Sequence, residues 1–383
     1  MLIGIDASRA FISNRTGIEE YSYQVITGLM NELKDHQVVL YIRKEQKIDF
    51  NIPDNWKIRE IRLPYLWTQI GLSLEMIFHP VDVLFVPAHI VPWITPPKTV
   101  VTIHGLEYEF CARAYSFWER LYMRFFIKRS CRKASKIIAV SENTKKDLIE
   151  LYGVSEEKIE VIYEGVEISS SPLGGGCPED RRGIKSQTPS LIRPSGTFSL
   201  REKGTSEKFL LFIGRIEERK NISGILQAFE ILKEKYKIPH KLILAGRPGY
   251  GYEKIKNQMS KSKYGEEIAS LGFISEEEKW ALLEGAEVFL FPTFYEGFGL
   301  PILEAESFGT PVITSNVSSM PEVARESAVL VNPQKPQEIA EGVYKLISDQ
   351  SFRDDVVRKG HENVRRFSWK KCAKEIAEVL VKK

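Results

Sequence analysis

Apolar positions along the chain fall in short runs separated by longer amphipathic stretches. Leu2–Ile5, Val38–Ile42, Val83–Val86, Thr99–Ile103, Lys136–Val140 and Lys158–Ile162 read as buried strands in the first part of the chain. The pattern returns at Phe209–Ile213, Lys241–Ala245, Val288–Phe291, Val312–Thr314 and Val329–Val331. Strands alternating with helical stretches need crossover connections, which build parallel sheets covered by helices. Two such blocks predict an α/β chain of two Rossmann-like domains. A length of 383 residues also favours two domains over one.

Residues 168–207 break the pattern with Ser, Gly, Pro and charge in place of apolar runs. Such a stretch buries too little to offset its own ordering and reads as a mobile linker or insertion. The expected division is therefore 1–166 for the first domain, 167–207 for the linker and 208–366 for the second domain. Phe367–Lys383 reads as a separate amphipathic helix.

Composition narrows the function classes. A formal charge of +3 over this length does not suggest a nucleic-acid partner. Four dispersed cysteines, with no C-x-x-C pair, argue against a disulfide framework or a structural zinc site and fit a reducing cytoplasm. The N-terminus enters a strand without the pattern of a signal peptide. No apolar run approaches the roughly 18 residues of a membrane span.

The most informative segment is Glu296-Gly297-Phe298-Gly299-Leu300-Pro301-Ile302-Leu303-Glu304. It follows a buried strand, turns on glycines that tolerate unusual backbone angles, and enters a helix through Pro301, whose missing N–H costs nothing in a first turn. The N–H groups of Phe298, Gly299 and Leu300 would then face outward, which suits a phosphate. Carboxylates beside a phosphate cradle suit hydroxyls, so Glu296 and Glu304 are candidates for a sugar and a ribose. After Lys208–Gly214, Arg215 and Lys220 bring a guanidinium and an ammonium to a strand's C-terminal end, where open α/β sheets bind ligands.

With these two motifs together the chain resembles the retaining nucleotide-sugar glycosyltransferases of family 4, which have the GT-B fold. The resemblance covers nearly the whole chain. It rests on Gly214–Asn221 and the Glu296/Glu304 pair. Ile3–Asp6 with Arg15–Ile18, Thr102–Gly105, Ile138–Thr144, Val161–Val166, Ser315–Val323 and Phe367–Trp369 add to it. It implies two Rossmann-like βαβ domains facing each other across a deep cleft, with 367–383 packing back on the first. It further implies that Gly17 lines that cleft, that His104 contacts the donor sugar, and that Phe273 and Ile274 lie against the nucleotide base. Core packing is an equal alternative for Phe273. His89 is a weaker candidate. Where family members often carry Asp, this chain has Gly105, which puts the neighbouring acceptor contacts in doubt.

The reaction implied is hexosyl transfer from a nucleoside diphosphate sugar, with a lean towards GDP-mannose, to a polysaccharide or lipid-linked glycan. No D-x-D motif is present to hold a divalent metal. Arg215, Lys220 and the helix N–H groups would stabilise the leaving phosphate instead, so no cofactor or metal is expected. A double displacement needs a carboxylate on the opposite face of the sugar, and none is evident, so front-face transfer is expected. An epimerase of the same fold and a non-catalytic partner subunit are the alternatives. The four charged residues argue against both.

Arg120, Arg124, Lys128, Arg132 and Lys136 recur every four residues, interleaved with Phe117, Trp118, Tyr122, Phe125 and Phe126. The preferred reading is a domain helix whose aromatics enter the core and whose charges meet water. Peripheral contact of 115–136 with the inner face of a membrane is the alternative, since many family members use lipid-linked acceptors. The oligomeric state is not readable.

Overall fold

The computed structural model describes residues 1–12, 15–48, 50–166 and 207–382. The chain forms two compact units, Met1–Gly165 with Phe367–Lys383, and Val166–Arg366. The expected linker falls outside the described residues, apart from Glu207.

The first unit has strands β1 (Leu2–Asp6), β2 (Gln37–Arg43), β3 (Trp56–Ile61), β4 (Val83–Val86), β5 (Lys98–Ile103), β6 (Lys136–Ala139) and β7 (Ile159–Val161). They form one seven-stranded parallel sheet in the order β3-β2-β1-β4-β5-β6-β7. Its helices are α1 (Gly17–Glu32), α2 (Leu72–Phe78), α3 (Glu107–Phe110), α4 (Phe117–Lys133) and α5 (Glu142–Tyr152). The second unit carries β8 (Phe209–Ile213), β9 (Lys241–Ala245), β10 (Ile268–Gly272), β11 (Val288–Phe291), β12 (Val312–Ser315) and β13 (Ala328–Val331). Its parallel sheet runs β10-β9-β8-β11-β12-β13. The helices are α6 (Ile222–Lys235), α7 (Tyr252–Lys261), α8 (Glu276–Gly285), α9 (Leu300–Ser307), α10 (Met320–Ala324), α11 (Pro336–Ser348) and α12 (Gln350–Val364).

Every residue of β4, β11 and β12 is buried, as sheets covered on both faces require. The apolar runs read from the sequence leave out two edge strands, β10 and the more strongly charged β3. Its WKIREI mixes charges among its apolar residues and it sits at the sheet edge, where charges discourage further pairing. Helix α4 differs from the expectation: Phe117, Trp118, Tyr122 and Phe125 are exposed instead of entering the core. The last helix, α13 (Trp369–Val381), belongs to the first unit and packs on α1. A Cβ on Gly28 would come within 2.5 Å of the Ala373 Cβ, so α1 can approach α13 this closely only without a side chain there.

Each sheet has one point where strand order reverses, between β1 and β4 and between β8 and β11. Crevices beyond the C-terminal ends of such strands are where open α/β sheets take ligands. After β8 comes the loop with Arg215 and Lys220, and after β11 the loop with Glu296. After β4 and β5 come His89 and His104.

Candidate active site

In the second unit the two loops at the reversal point are tied by charge. Lys220 Nζ donates to Glu296 Oε1 at 2.5 Å and Arg219 Nη1 donates to the same oxygen at 3.0 Å. Arg219 also donates to Tyr295 O and, through Nε and Nη2, to Glu217. Burial alone would push the Glu296 carboxyl up, but the charges of Arg219 and Lys220 outweigh it and hold the carboxyl below its ordinary range. Burial lowers the Lys220 ammonium despite the pull of Glu296. Both cations use Oε1, so Oε2 keeps its accepting capacity, and a lysine has three N–H donors of which Glu296 takes one.

Local chemistry explains the shape of this loop pair. Asn221 adopts a left-handed conformation (φ 58°) and caps α6 by accepting from the Gly224 N–H. Its amide donates to Pro292 O and Pro333 O, anchoring the β8 loop to the β11 loop. Gly246 opens the loop after β9 at φ 142°, and a Cβ there would lie 1.8 Å from Gly214 O. The glycine-rich run 246–251 therefore backs the cationic loop. The Glu296–Phe298 backbone is clamped from the other side: Ser318 Oγ and Ser319 Oγ both donate to Glu296 O, and Ser319 Oγ also contacts Phe298 O. Gly299 leads into α9 at φ 124°, Pro301 lies in the first turn, and Leu300 is the first helical residue.

The other predicted residues are placed less uniformly. Arg215 is exposed, and no contact ties it to Glu296. Glu304 accepts from Lys279 Nζ at 2.8 Å, and Lys279 also pairs with Glu276. Phe273 follows β10 and is 48% exposed, with the Arg247 guanidinium 4.4 Å from its ring centre. Packing of Phe273 in the core is therefore ruled out, because the side chain lies at the surface against a cation. Ile274 is half-buried and packs against the core. Phe298 is buried while its neighbour Gly297 is partly exposed.

In the first unit, His104 is held by both ring nitrogens. Nε2 lies 2.8 Å from Pro87 O and Nδ1 lies 3.0 Å from Glu164 Oε1. Pro87 O can only accept, which puts a proton on Nε2 and leaves Nδ1 and Glu164 to share the other contact. Tyr21 meets the ring edge-on at 4.5 Å and His89 at 5.4 Å. Burial, then the neighbouring His104, lowers His89 to about 3, so that ring stays neutral. Gly17 is the exposed first residue of α1, capped by Thr16, rather than a residue of the preceding loop.

Four contributors escaped the sequence reading. Arg219 lies inside Gly214–Asn221, beside the cation Lys220 that stands out at the helix start. Glu164 lies in the segment Val161–Val166, where a lone carboxylate at the end of an apolar strand was the available signal. Ser318 and Ser319 sit in a polar loop whose link to Glu296 spans some twenty residues and leaves no periodic trace.

Two parallel-sheet domains of this type define the GT-B class. Residues 15–170 match the family described as Glycosyltransferase Family 4. Residues 198–363 match that described as Glycosyl transferases group 1. The chain belongs to this glycosyltransferase family. It is 29% identical over 275 residues to O-antigen chain mannosyltransferase B of Escherichia coli, covering 72% of this chain and 68% of that one. It is 23% identical to O-antigen chain mannosyltransferase RfbU of Salmonella typhimurium, covering 83% of each. Among solved structures, WaaG, a glycosyltransferase involved in lipopolysaccharide biosynthesis, superposes with a TM-score of 0.69 at 15% identity over all of both chains. That likeness concerns the fold.

Proposed function

We propose that this glycosyltransferase moves a hexosyl group, by preference mannosyl, from a nucleoside diphosphate sugar to a hydroxyl of a polysaccharide or lipid-linked glycan. The transfer retains anomeric configuration and uses no divalent metal. The carrying observation is the Arg219–Glu296–Lys220 cluster beside the start of α9. Departure of a nucleoside diphosphate builds negative charge on its β-phosphate. The spare Lys220 N–H groups, the exposed Arg215 and the first N–H groups of α9 supply fixed positive charge for it, the kind of preorganised stabilisation that contributes most to such reactions. Arg219 then has an orienting role, since its donors are committed to Glu217, Tyr295 O and Glu296.

Glu296 Oε2 would accept from sugar hydroxyls, and Glu304 would exchange part of its contact with Lys279 for ribose hydroxyls. Phe273 and Arg247 offer a flat apolar face and a cation to a base. In the first unit, His104 is assigned to the transferred sugar and the Gly17 region to ligand approach. With no carboxylate assigned to the opposite face of the sugar, the reading is front-face attack, the leaving phosphate accepting the acceptor's proton. The mannosyl preference rests on the O-antigen mannosyltransferases that the chain resembles. The workplace that fits such an acceptor is the cytoplasmic face of a membrane.

The test is a calorimetric titration with GDP, UDP, ADP and their sugars, with and without EDTA, on the wild type and on Lys220→Ala, Glu304→Ala and Arg215→Ala. One nucleotide should bind in EDTA and bind more weakly to all three variants. Binding that ignores the substitutions, or needs metal, overturns the reading. Product analysis with and without a glycan acceptor separates transfer from epimerisation.

A further inference from the structure

The reversal point of the first sheet carries a second imidazole beside His104. His89 stands three residues beyond β4, and Arg9 stands three residues beyond β1. These two strands flank the reversal, and their register pairs Ile5 with Phe85, so both loops leave the sheet level with each other. The crevice beyond such strand ends is where open α/β sheets take ligands.

The backbone at His89 is sharply bent. Its φ is 28°, and the Ile90 N–H donates to Ala88 O at 2.6 Å, closing a three-residue turn centred on His89. The His89 N–H is itself pinned to Thr102 O at 3.0 Å. Tight turns with a positive φ at a residue other than glycine are uncommon and strained. Such strain persists only where the surroundings enforce it, and it gathers at functional sites.

Hydrogen bonding defines what the ring offers. Nδ1 is enclosed and has no partner among the described residues. A buried N–H without an acceptor costs more than a lone pair without a donor, so the proton of the neutral ring belongs on Nε2. Nε2 is not enclosed in this way and meets no acceptor among the described residues. Both nitrogens of the neighbouring His104 are engaged, by Pro87 O and Glu164, so the spare N–H of this imidazole pair is on His89. Arg9 is near enough for its charge to act on His89, and Glu19 takes one of its five N–H groups. The Glu19 carboxylate also offsets the charge of Arg9, so the pair presents hydrogen-bond donors without a net charge to draw an anion. Donors of that kind suit the hydroxyl oxygens of a sugar ring. A ring held at about 3 is too weak a base to take a proton at neutral pH, so His89 can position a hydroxyl but not deprotonate it.

We propose that His89 Nε2 and Arg9 hold neighbouring hydroxyls of the terminal hexose of the acceptor glycan. The inference rests on the reading of the chain as a transferase to a glycan. In that reading the diphosphate goes to the cations of the second unit, which leaves the crevice of the first sheet to hydroxyls.

The test uses the full chain with octyl α-mannoside as acceptor, its monodeoxy analogues, and the nucleotide sugar that the calorimetric titration selects. His89→Ala should raise the KM for octyl α-mannoside about tenfold, the loss of one hydrogen bond, while the Kd of the nucleotide sugar stays within about twofold. His89→Gln places an amide N–H near the position of Nε2 and should recover most of that loss. Besides the analogue that lacks the attacked hydroxyl, two others should be about tenfold poorer acceptors for the wild type. His89→Ala should ignore the loss of one of these hydroxyls, and Arg9→Gln the loss of its neighbour. Arg9 is exposed, so its variant decides the matter if His89→Ala does not fold. An equal fall for every acceptor marks a structural role and overturns the proposal. Unchanged KM values overturn it, as does a shift in nucleotide-sugar affinity in place of acceptor KM. A wild type that binds its nucleotide but uses none of the mannosides overturns it as well, because the hexose named is then not the acceptor. If the nucleotide also goes unbound, the transferase reading falls and takes this inference with it.

Discussion

Two glutamates ten residues apart, on either side of the start of α9, occupy opposite electrostatic worlds. Glu296 lies in the loop before the helix, mostly shielded from water, with two cations on one oxygen. Glu306 points into the body of the second unit, where its carboxyl meets the neutral side chains of Ser327 and Asn363. The first is held ionised. Burial pushes the second up to about 8, so it keeps its proton at neutral pH. A proton on Glu306 also completes the local hydrogen bonds. Ser327 has one hydroxyl proton and two neighbouring acceptors, Ala324 O and Glu306, so a carboxyl O–H donating to Ser327 Oγ satisfies all three. Burial with different neighbours holds one carboxylate charged and the other neutral.

The sharpest way to break this contrast is Glu296→Ala. It leaves Arg219 and Lys220 facing each other with no anion between them. Removing one partner from a buried charge cluster costs about 3–5 kcal/mol. The second unit should melt several degrees lower, and transfer should fall to background. Urea and thermal unfolding alongside a transfer assay would check this. Unfolding unchanged from wild type would mean that the cluster does not hold the two loops together.

Next in size is Glu306→Gln, whose effect should depend on pH. The folded-state value of about 8 lies above the ordinary value of 4.5. The folded chain therefore holds a proton that the unfolded chain releases. Stability from this group is complete below pH 4.5 and declines as the pH rises towards 8. The slope is on the order of 1 kcal/mol per pH unit at most. An amide cannot ionise, so the variant should lose this slope and gain on the wild type as the pH rises from 4.5 to about 8. Unfolding midpoints across that range decide it. Equal slopes for both proteins would show that Glu306 is ionised when folded, and the contrast with Glu296 would vanish.

A third buried carboxylate, Glu164, faces an imidazole instead of a guanidinium. Glu164→Gln keeps the shape but can no longer draw a proton from His104 Nδ1. If Glu164 orients that ring, kcat should fall about tenfold while KM changes little. A merely structural role would lower the melting temperature and leave kcat in place.

The sequence made the local half of this picture readable. Strand-length apolar runs marked eleven of the strands, and Gly299, Pro301 and the glutamates flagged the start of α9. Those signals are short-range, because period, turn chemistry and caps are written within a few residues. What decides the charge of each glutamate is long-range. Arg219 reaches Glu296 from 77 residues away, and His104 reaches Glu164 over 60. A single chain read in order carries no mark of such pairings. α4 shows the same limit: its sequence fixes a helix with aromatics and cations, but which face turns inward depends on partners such as Glu109 and Tyr108.

Glu304 should give the smallest change in stability and is therefore the most discriminating test of binding. It is partly exposed and pairs with Lys279, whose ammonium is held up by Glu304 and Glu276 against the effect of burial. Lys279 keeps its pairing with the exposed Glu276 when Glu304 is removed, so the loss should resemble that of a surface pair, about 0–1 kcal/mol. Glu304→Ala should thus unfold within about 1 kcal/mol of wild type, unlike Glu296→Ala. Its nucleotide affinity should nonetheless drop about tenfold if ribose hydroxyls use that carboxylate, the cost of one charged hydrogen bond. Calorimetry and unfolding on the same preparation measure both. A variant that keeps both its stability and its affinity would leave Glu304 as no more than the anchor for Lys279, and ribose recognition would have to come from other residues of the second unit.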